Sequence, residues 1–87
     1  MASELPIEIS PHALEQMQER GTDRRQVEQA VRQGDQEPAR GDRTLFRKNF
    51  PFDGKWRGRR YRVKQVAPVV IQESDKLAVV TVYVFYF

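Results

Sequence analysis

The chain has 87 residues, 39% hydrophobic and 31% charged, which is room for one small core and no second domain, because folding at this size hides only about 60% of the chain's surface. With no cysteine and one histidine, it excludes a disulfide framework, a thiolate nucleophile, Cys-ligated zinc and most metal sites built from nitrogen and sulfur. The formal net charge is +3, and no basic region followed by a long apolar run opens the sequence, so a soluble cytoplasmic protein with no membrane, metal or cofactor partner is expected.

Leu5, Ile7 and Ile9 alternate with Pro6 and Glu8, the pattern of a short edge strand, where a proline costs no ladder bond. Residues 1–5 are read as a flexible tail of a single domain covering 1–87. Ser10 is a good N-cap, Pro11 a good first helical residue, Leu14 and Met17 give an apolar stripe, and Gly21 can take the left-handed stop after Arg20. This predicts a helix over 11–20. Asp23 and Gln26 have the capping-box spacing, Val27, Ala30 and Val31 fall at i, i+3 and i+4, and Gly34 closes the pattern. A second helix over 24–33 follows. Its solvent side carries Arg24–Glu28 and Glu28–Arg32 at i,i+4, worth about 0.2–0.5 kcal/mol each.

After Gly34 the period changes. Residues 35–42, with Pro38 and Gly41, are expected as a loop, 43–50 as a strand and 51–54 as a turn. Arg60, Arg62 and Lys64 then alternate with Tyr61, Val63 and Gln65, until Pro68 interrupts before Val69, Val70 and Ile71. A bend or bulge is expected near that proline. Beyond a turn at 73–76, residues 77–87 are β-branched and aromatic. Strict alternation puts Ala78, Val80, Val82, Val84 and Tyr86 on one face and Leu77, Val79, Thr81, Tyr83, Phe85 and Phe87 on the other. The prediction is an α+β fold: a short N-terminal strand, then two helices packed on one face of a twisted, mainly antiparallel sheet of three to four strands. The other sheet face then lacks helices. Apolar residues on both faces of the last strand call for a partner or a second copy as cover, or for strand ends curled under their own loops.

The charge is segregated. Residues 40–64 carry ten Lys and Arg against Asp42 and Asp53, a net +8 that leaves −5 for the rest. Interleaved with Phe46, Phe50, Phe52, Trp56 and Tyr61, this resembles an electrostatic and stacking footprint for nucleic acid or another polyanion, with Arg47, Arg60, Arg62 and Lys64 holding the backbone of an RNA. An acidic protein partner, or a solvated strand face paired with the acidic helices, accounts for the same pattern. The alternative function is a non-catalytic interaction module whose last strand pairs with a partner by β-addition and whose basic loop recognises an acidic protein.

Cleavage of RNA needs a base for the 2′-hydroxyl, an acid for the leaving oxygen and cations for the phosphorane. His12 lies in the first helical turn, where the macrodipole favours a neutral imidazole, and is the candidate base. Gln16 and Arg20 follow at i+4 and i+8, so the three share one helical stripe, and Arg20 is the candidate phosphate clamp. The same spacing fits a His12 that packs locally and an Arg20 that bonds the last carbonyls of its helix.

The stretch from Ile9 through His12-Ala13 and Glu19-Arg20-Gly21, continued by Val27 and Ala30-Val31, together with Arg60-Tyr61-Arg62-Val63 and Val79-Val80-Thr81-Val82-Tyr83, resembles the bacterial family catalogued as domain of unknown function 4258. The resemblance covers roughly residues 7 to 83. It implies a fold like that of the RelE and BrnT toxins and of the wider barnase, EndoU and colicin-type ribonucleases. It also implies a metal-independent endoribonuclease or RNA-binding protein, with His12, Arg20 and Thr81 at the family's recurring polar positions and an antitoxin-like protein or a second copy as partner. Two departures stand out: Gln16 where an arginine is common, and Thr22 where an isoleucine usually follows the glycine. The first weakens a phosphate clamp, which leaves room for an inactive binding version.

Overall fold

The computed structural model describes residues 4–87. In chain order these form β1 (Ile7–Ile9), α1 (Pro11–Arg20), α2 (Arg24–Gln33), β2 (Asp35–Pro38), β3 (Arg43–Trp56), β4 (Arg59–Gln72) and β5 (Leu77–Tyr86). The strands make one sheet in the order β1-β5-β4-β3-β2, parallel between β1 and β5 and antiparallel elsewhere. The arrangement is α+β as expected, with five strands rather than three to four. Of the expected tail, residues 1–3 lie outside the described residues, and Leu5 packs partly buried against the core.

The helices start and stop where their end chemistry dictates. The Ser10 hydroxyl accepts the Ala13 N–H at 3.1 Å and Pro11 fills the first turn, while Asp23 accepts the Gln26 N–H at 2.8 Å to open α2. α1 turns Ala13, Gln16 and Met17 inward and α2 turns Val27, Ala30 and Val31. Leu14, assigned by its spacing to the apolar stripe, is 42% exposed; the buried stripe lies one step around the helix. The inward residues meet Phe46, Phe50, Val66, Val70, Leu77, Val79 and Val82 in one cluster. Val27, Val66, Val79 and Val82 are fully buried, each contributing about 1.5–3 kcal/mol relative to exposure.

Three bulges decide which side chains reach which face. In β5, Thr81 pairs with Val69 but Val79 pairs with Val70, so Val80 is an extra residue and the faces exchange there. Strict alternation separates Val79 from Val82; the bulge reunites them in the core and leaves Thr81, Tyr83 and Phe85 on the helix-free face. The irregularity expected near Pro68 is therefore carried by the neighbouring strand. Pro68 itself is fully buried within an unbroken β4. The β3–β4 pairing is interrupted opposite it, between Leu45↔Val69 and Lys48↔Val66, with the register unchanged, where the proline has no N–H to donate.

The second bulge lies between Pro51 and Gly54, with Asp53 at φ 45°. Residues 51–54 are not the expected turn. β3 runs on to Trp56, and the chain reverses at Arg57 and Gly58, both at positive φ (51° and 84°), as a two-residue hairpin loop matched to strand twist requires. In the third, the Phe87 carbonyl accepts from both the Arg62 and Val63 N–H groups, at 3.1 and 2.8 Å, which breaks the Arg60, Arg62, Lys64 alternation. Residues 35–42 also differ from the expected loop. They contain β2, a fully exposed strand registered from Asp35↔Arg47 to Pro38↔Thr44, and its charges and terminal proline are what a sheet edge carries.

Candidate nucleic-acid interface

On the helix-free face, cross-strand rows run Leu45–Val69–Thr81 and Asn49–Gln65–Phe85, with Ala67–Tyr83 between them. The small Ala67 and the buried Val69 leave β5 standing as a ridge: Tyr83 and Phe85 are each 44% exposed and Phe87 56%. The Tyr83 and Phe85 rings stack at 6.3 Å and 18°. The Arg20 guanidinium lies 5.5 Å from the Tyr83 ring centre and that of Arg47 5.8 Å from Phe85, within cation–π range. Beside the ridge, Arg40, Arg43, Thr81 and Tyr83 line a cleft of about 390 Å³. Neither Arg40 nor Arg43 has an ion-pair partner among the described residues.

Arg20 reaches this face around the outer edge of β5. β1 covers that edge only along Leu77–Val79. Phe87 exchanges hydrogen bonds with Val63 of β4, so by the alternation of an antiparallel ladder Val82, Val84 and Tyr86 turn their N–H and C=O groups outward. The Val82 N–H donates to Gln16 Oε1 at 2.9 Å and Arg20 Nη1 donates to the Val82 carbonyl at 2.7 Å. The two side chains stand in for a missing strand. The stripe read from sequence is thus real for Gln16 and Arg20, but it serves the sheet edge. His12 is exposed in the first turn of α1, about 12 Å along the helix from Arg20 by its rise per residue, and its side chain has no hydrogen-bond partner among the described residues. The cleft that Thr81 lines holds neither His12 nor Arg20.

The expected phosphate-binding cations are dispersed. Lys64 lies beneath α1, 9% exposed, and its Nζ donates to the Gly21 carbonyl at 2.8 Å. Burial pulls this ammonium below its ordinary pKa, partly offset by the Asp23 carboxylate. It is a helix cap on the face opposite Arg47. Tyr86 Oη donates to the Arg20 carbonyl at 2.7 Å and Arg57 Nη2 to that of Glu19 at 3.0 Å, so three donors from the β3–β4 hairpin and β5 meet the carbonyls that end α1. Arg47 is held by Glu37 through two contacts of 3.2 Å and by Gln65 at 3.0 Å. Arg62 borders a cleft with Asn49, Pro51 and Phe87, and Arg60 reaches only the Asp53 carbonyl, at 3.5 Å.

The interleaved aromatics likewise serve the fold. Phe46 and Phe50 are core. Trp56 stacks on Tyr86 at 5.0 Å, with Phe52 edge-on at 5.2 Å and Tyr61 tilted at 5.6 Å. Burial pushes the Tyr86 phenol above its ordinary pKa, against the pull of Arg57. The exposed platform comes instead from the last strand, where the Thr81, Tyr83, Phe85, Phe87 spacing carries the signal. Arg40 and Arg43, which complete it, have no mark in the sequence that sets them apart from their basic neighbours.

Among the described residues no helix is long and apolar enough to cross a membrane, and no group of three or more His, Cys, Asp or Glu side chains is placed to hold a metal ion. No curated protein and no solved structure matches the chain. The family model described as Domain of unknown function (DUF4258) matches residues 9–84, from the end of β1 through most of β5, and the chain therefore belongs to that family.

Proposed function

We propose that the chain is an RNA-binding protein of the RelE-like toxin type, acting in the cytoplasm and holding single-stranded RNA on its helix-free sheet face. The observation that carries this reading is the exposed Tyr83–Phe85–Phe87 ridge flanked by Arg20, Arg40 and Arg43. Every base has a π-face, and one stacked on an aromatic side chain contributes about 1–3 kcal/mol. Arginines without carboxylate partners beside such a ridge suit the phosphates between stacked bases. Metal-independent cleavage by His12, Arg20 and Thr81 requires more. Arg20 and Thr81 both adjoin Tyr83, whereas His12 sits at the far end of α1, so a cleaved strand has to wrap the β5 edge.

Anisotropy of a labelled single-stranded RNA, at low and high salt and without metal, tests this. Wild type binds, with affinity falling steeply as salt rises. Tyr83→Ala and Phe85→Ala each lose about tenfold or more, given the stacking energy, and product analysis beside His12→Ala and Arg20→Ala separates binding from cleavage. Affinity indifferent to salt and to both aromatic changes would refute the reading. Dimers in light scattering that dissociate in Phe85→Ala would assign the face to a second copy.

A further inference from the structure

We infer that the free edge of β5 at Val84 and Tyr86 is a docking site for an extended acidic segment of a partner protein. The segment adds as a strand beside β5 and seats a carboxylate in the cleft lined by Arg20 and Arg57. This goes beyond the RNA reading and centres on the outer edge of the sheet rather than its open face; Arg20 reaches both, whereas Arg57 lines the edge cleft alone.

The edge supplies the first argument. β1 occupies it along Leu77–Val79, and Gln16 and Arg20 occupy it at Val82. The next outward groups, the N–H and C=O of Val84 and Tyr86, have no partner among the described residues. A row of unpaired amides in strand conformation is a template for another strand. RNA offers no matching row of donors and acceptors at the strand repeat, so the complementary ligand is a peptide.

The cleft beside that edge supplies the second. It encloses about 240 Å³ and is lined by Glu19, Arg20, Trp56, Arg57, Val84 and Tyr86, a space for one or two side chains. It carries two guanidinium groups against the one carboxylate of Glu19. Neither arginine has an ion-pair partner among the described residues: Arg20 is spent on the Val82 carbonyl, and Arg57 on the Glu19 carbonyl while lying 5.2 Å from the Trp56 ring centre. An acidic side chain entering between them gains charge-assisted bonds to the two guanidinium groups. The same charges argue against a second copy, since a two-fold β5–β5 pairing sets Arg20 and Arg57 of each copy against those of the other.

The test uses a short, end-blocked peptide alternating valine and glutamate, titrated against the full chain. The readouts are the emission of Trp56, the single tryptophan, and amide hydrogen exchange at Val84 and Tyr86. Binding is expected to change the emission saturably and to slow exchange at both amides. Methylating alternate peptide nitrogens is expected to abolish it, and Arg57→Ala to weaken it about tenfold, the scale of one charge-assisted contact. RNA affinity of Arg57→Ala stays at the wild-type value, which shows that the variant is folded and separates this site from the open face. No binding, equal binding of a control peptide in which lysine replaces each glutamate, or binding unaffected by nitrogen methylation would each overturn the proposal.

Discussion

Replacing Gly21 by alanine tests how the end of α1 is seated. Gly21 is at φ 84°, and a Cβ built there would lie 2.5 Å from Tyr86 Oη and 2.7 and 2.9 Å from Trp56 Cζ3 and Cη2. The left-handed backbone alone costs a side chain about 1 kcal/mol. The rings cannot yield freely, because Trp56 is stacked on Tyr86 and Tyr86 is hydrogen-bonded to the Arg20 carbonyl. Separating the stack forfeits about 0.5–1.5 kcal/mol and breaking the phenol bond about 1 kcal/mol. Gly21→Ala is therefore expected to cost about 3 kcal/mol, with the terms overlapping because the groups touch. Gly58 is the control: its φ is also 84°, but nothing lies within 4 Å of its built Cβ, so Gly58→Ala meets only the backbone cost of about 1 kcal/mol. Urea unfolding followed by Trp56 fluorescence measures both. Equal losses in the two variants would refute the argument, since the backbone cost would then explain everything.

Gln16→Leu keeps the bulk at the buried position but leaves the Val82 N–H without its acceptor; a loss of about 1–3 kcal/mol in urea unfolding is expected for an orphaned buried donor, and no loss would mean that water serves the edge equally well. Lys64→Met is expected to lower stability while leaving RNA affinity at the wild-type value, and Arg43→Ala the reverse, with the salt slope reduced by about one; anisotropy beside urea unfolding separates the two. Tyr86 sets an alkaline limit. Below its ordinary pKa of 10.0 folded and unfolded chains both hold the phenol proton and its bond to Arg20 is fully present. Above it the unfolded chain ionises first, because burial raises the folded value, so stability falls as pH climbs through that window. Tyr86→Phe should flatten that decline in a pH series of thermal melts, and an unchanged decline would assign it to another group.

The helices were legible because their signals are local. Ser10, Pro11, Asp23 and Gly21 act within one turn of themselves, and α1 and α2 end at the residues those caps imply. β2 was not legible. Asp-Gln-Glu-Pro has the composition of a loop, and it is a strand only because β3 beside it presents Arg47 to Glu37. Residues 51–54 have turn chemistry, and the structure spends it on a bulge, since Arg57 and Gly58 offer the hairpin two consecutive residues at positive φ.

The candidate site was half legible for a related reason. Nothing in Val79-Val80-Thr81 announces an extra residue; the bulge follows from what holds β5 on either side of it. Up to Val79 the strand is registered by β1, and at Val82 its outward N–H and C=O are pinned by Gln16 and Arg20. On its other side it lies against β4, with Pro68 opposite Val82. Two edge partners with different geometry meet on one strand, and one inserted residue absorbs the mismatch. That insertion turns Val82 into the core and Tyr83 and Phe85 out beside Arg20. The stripe that reads from sequence as a phosphate clamp thus contributes to the proposed RNA surface through the fold: by fixing the register of β5, Gln16 and Arg20 determine that the aromatics of the last strand face solvent rather than the helices.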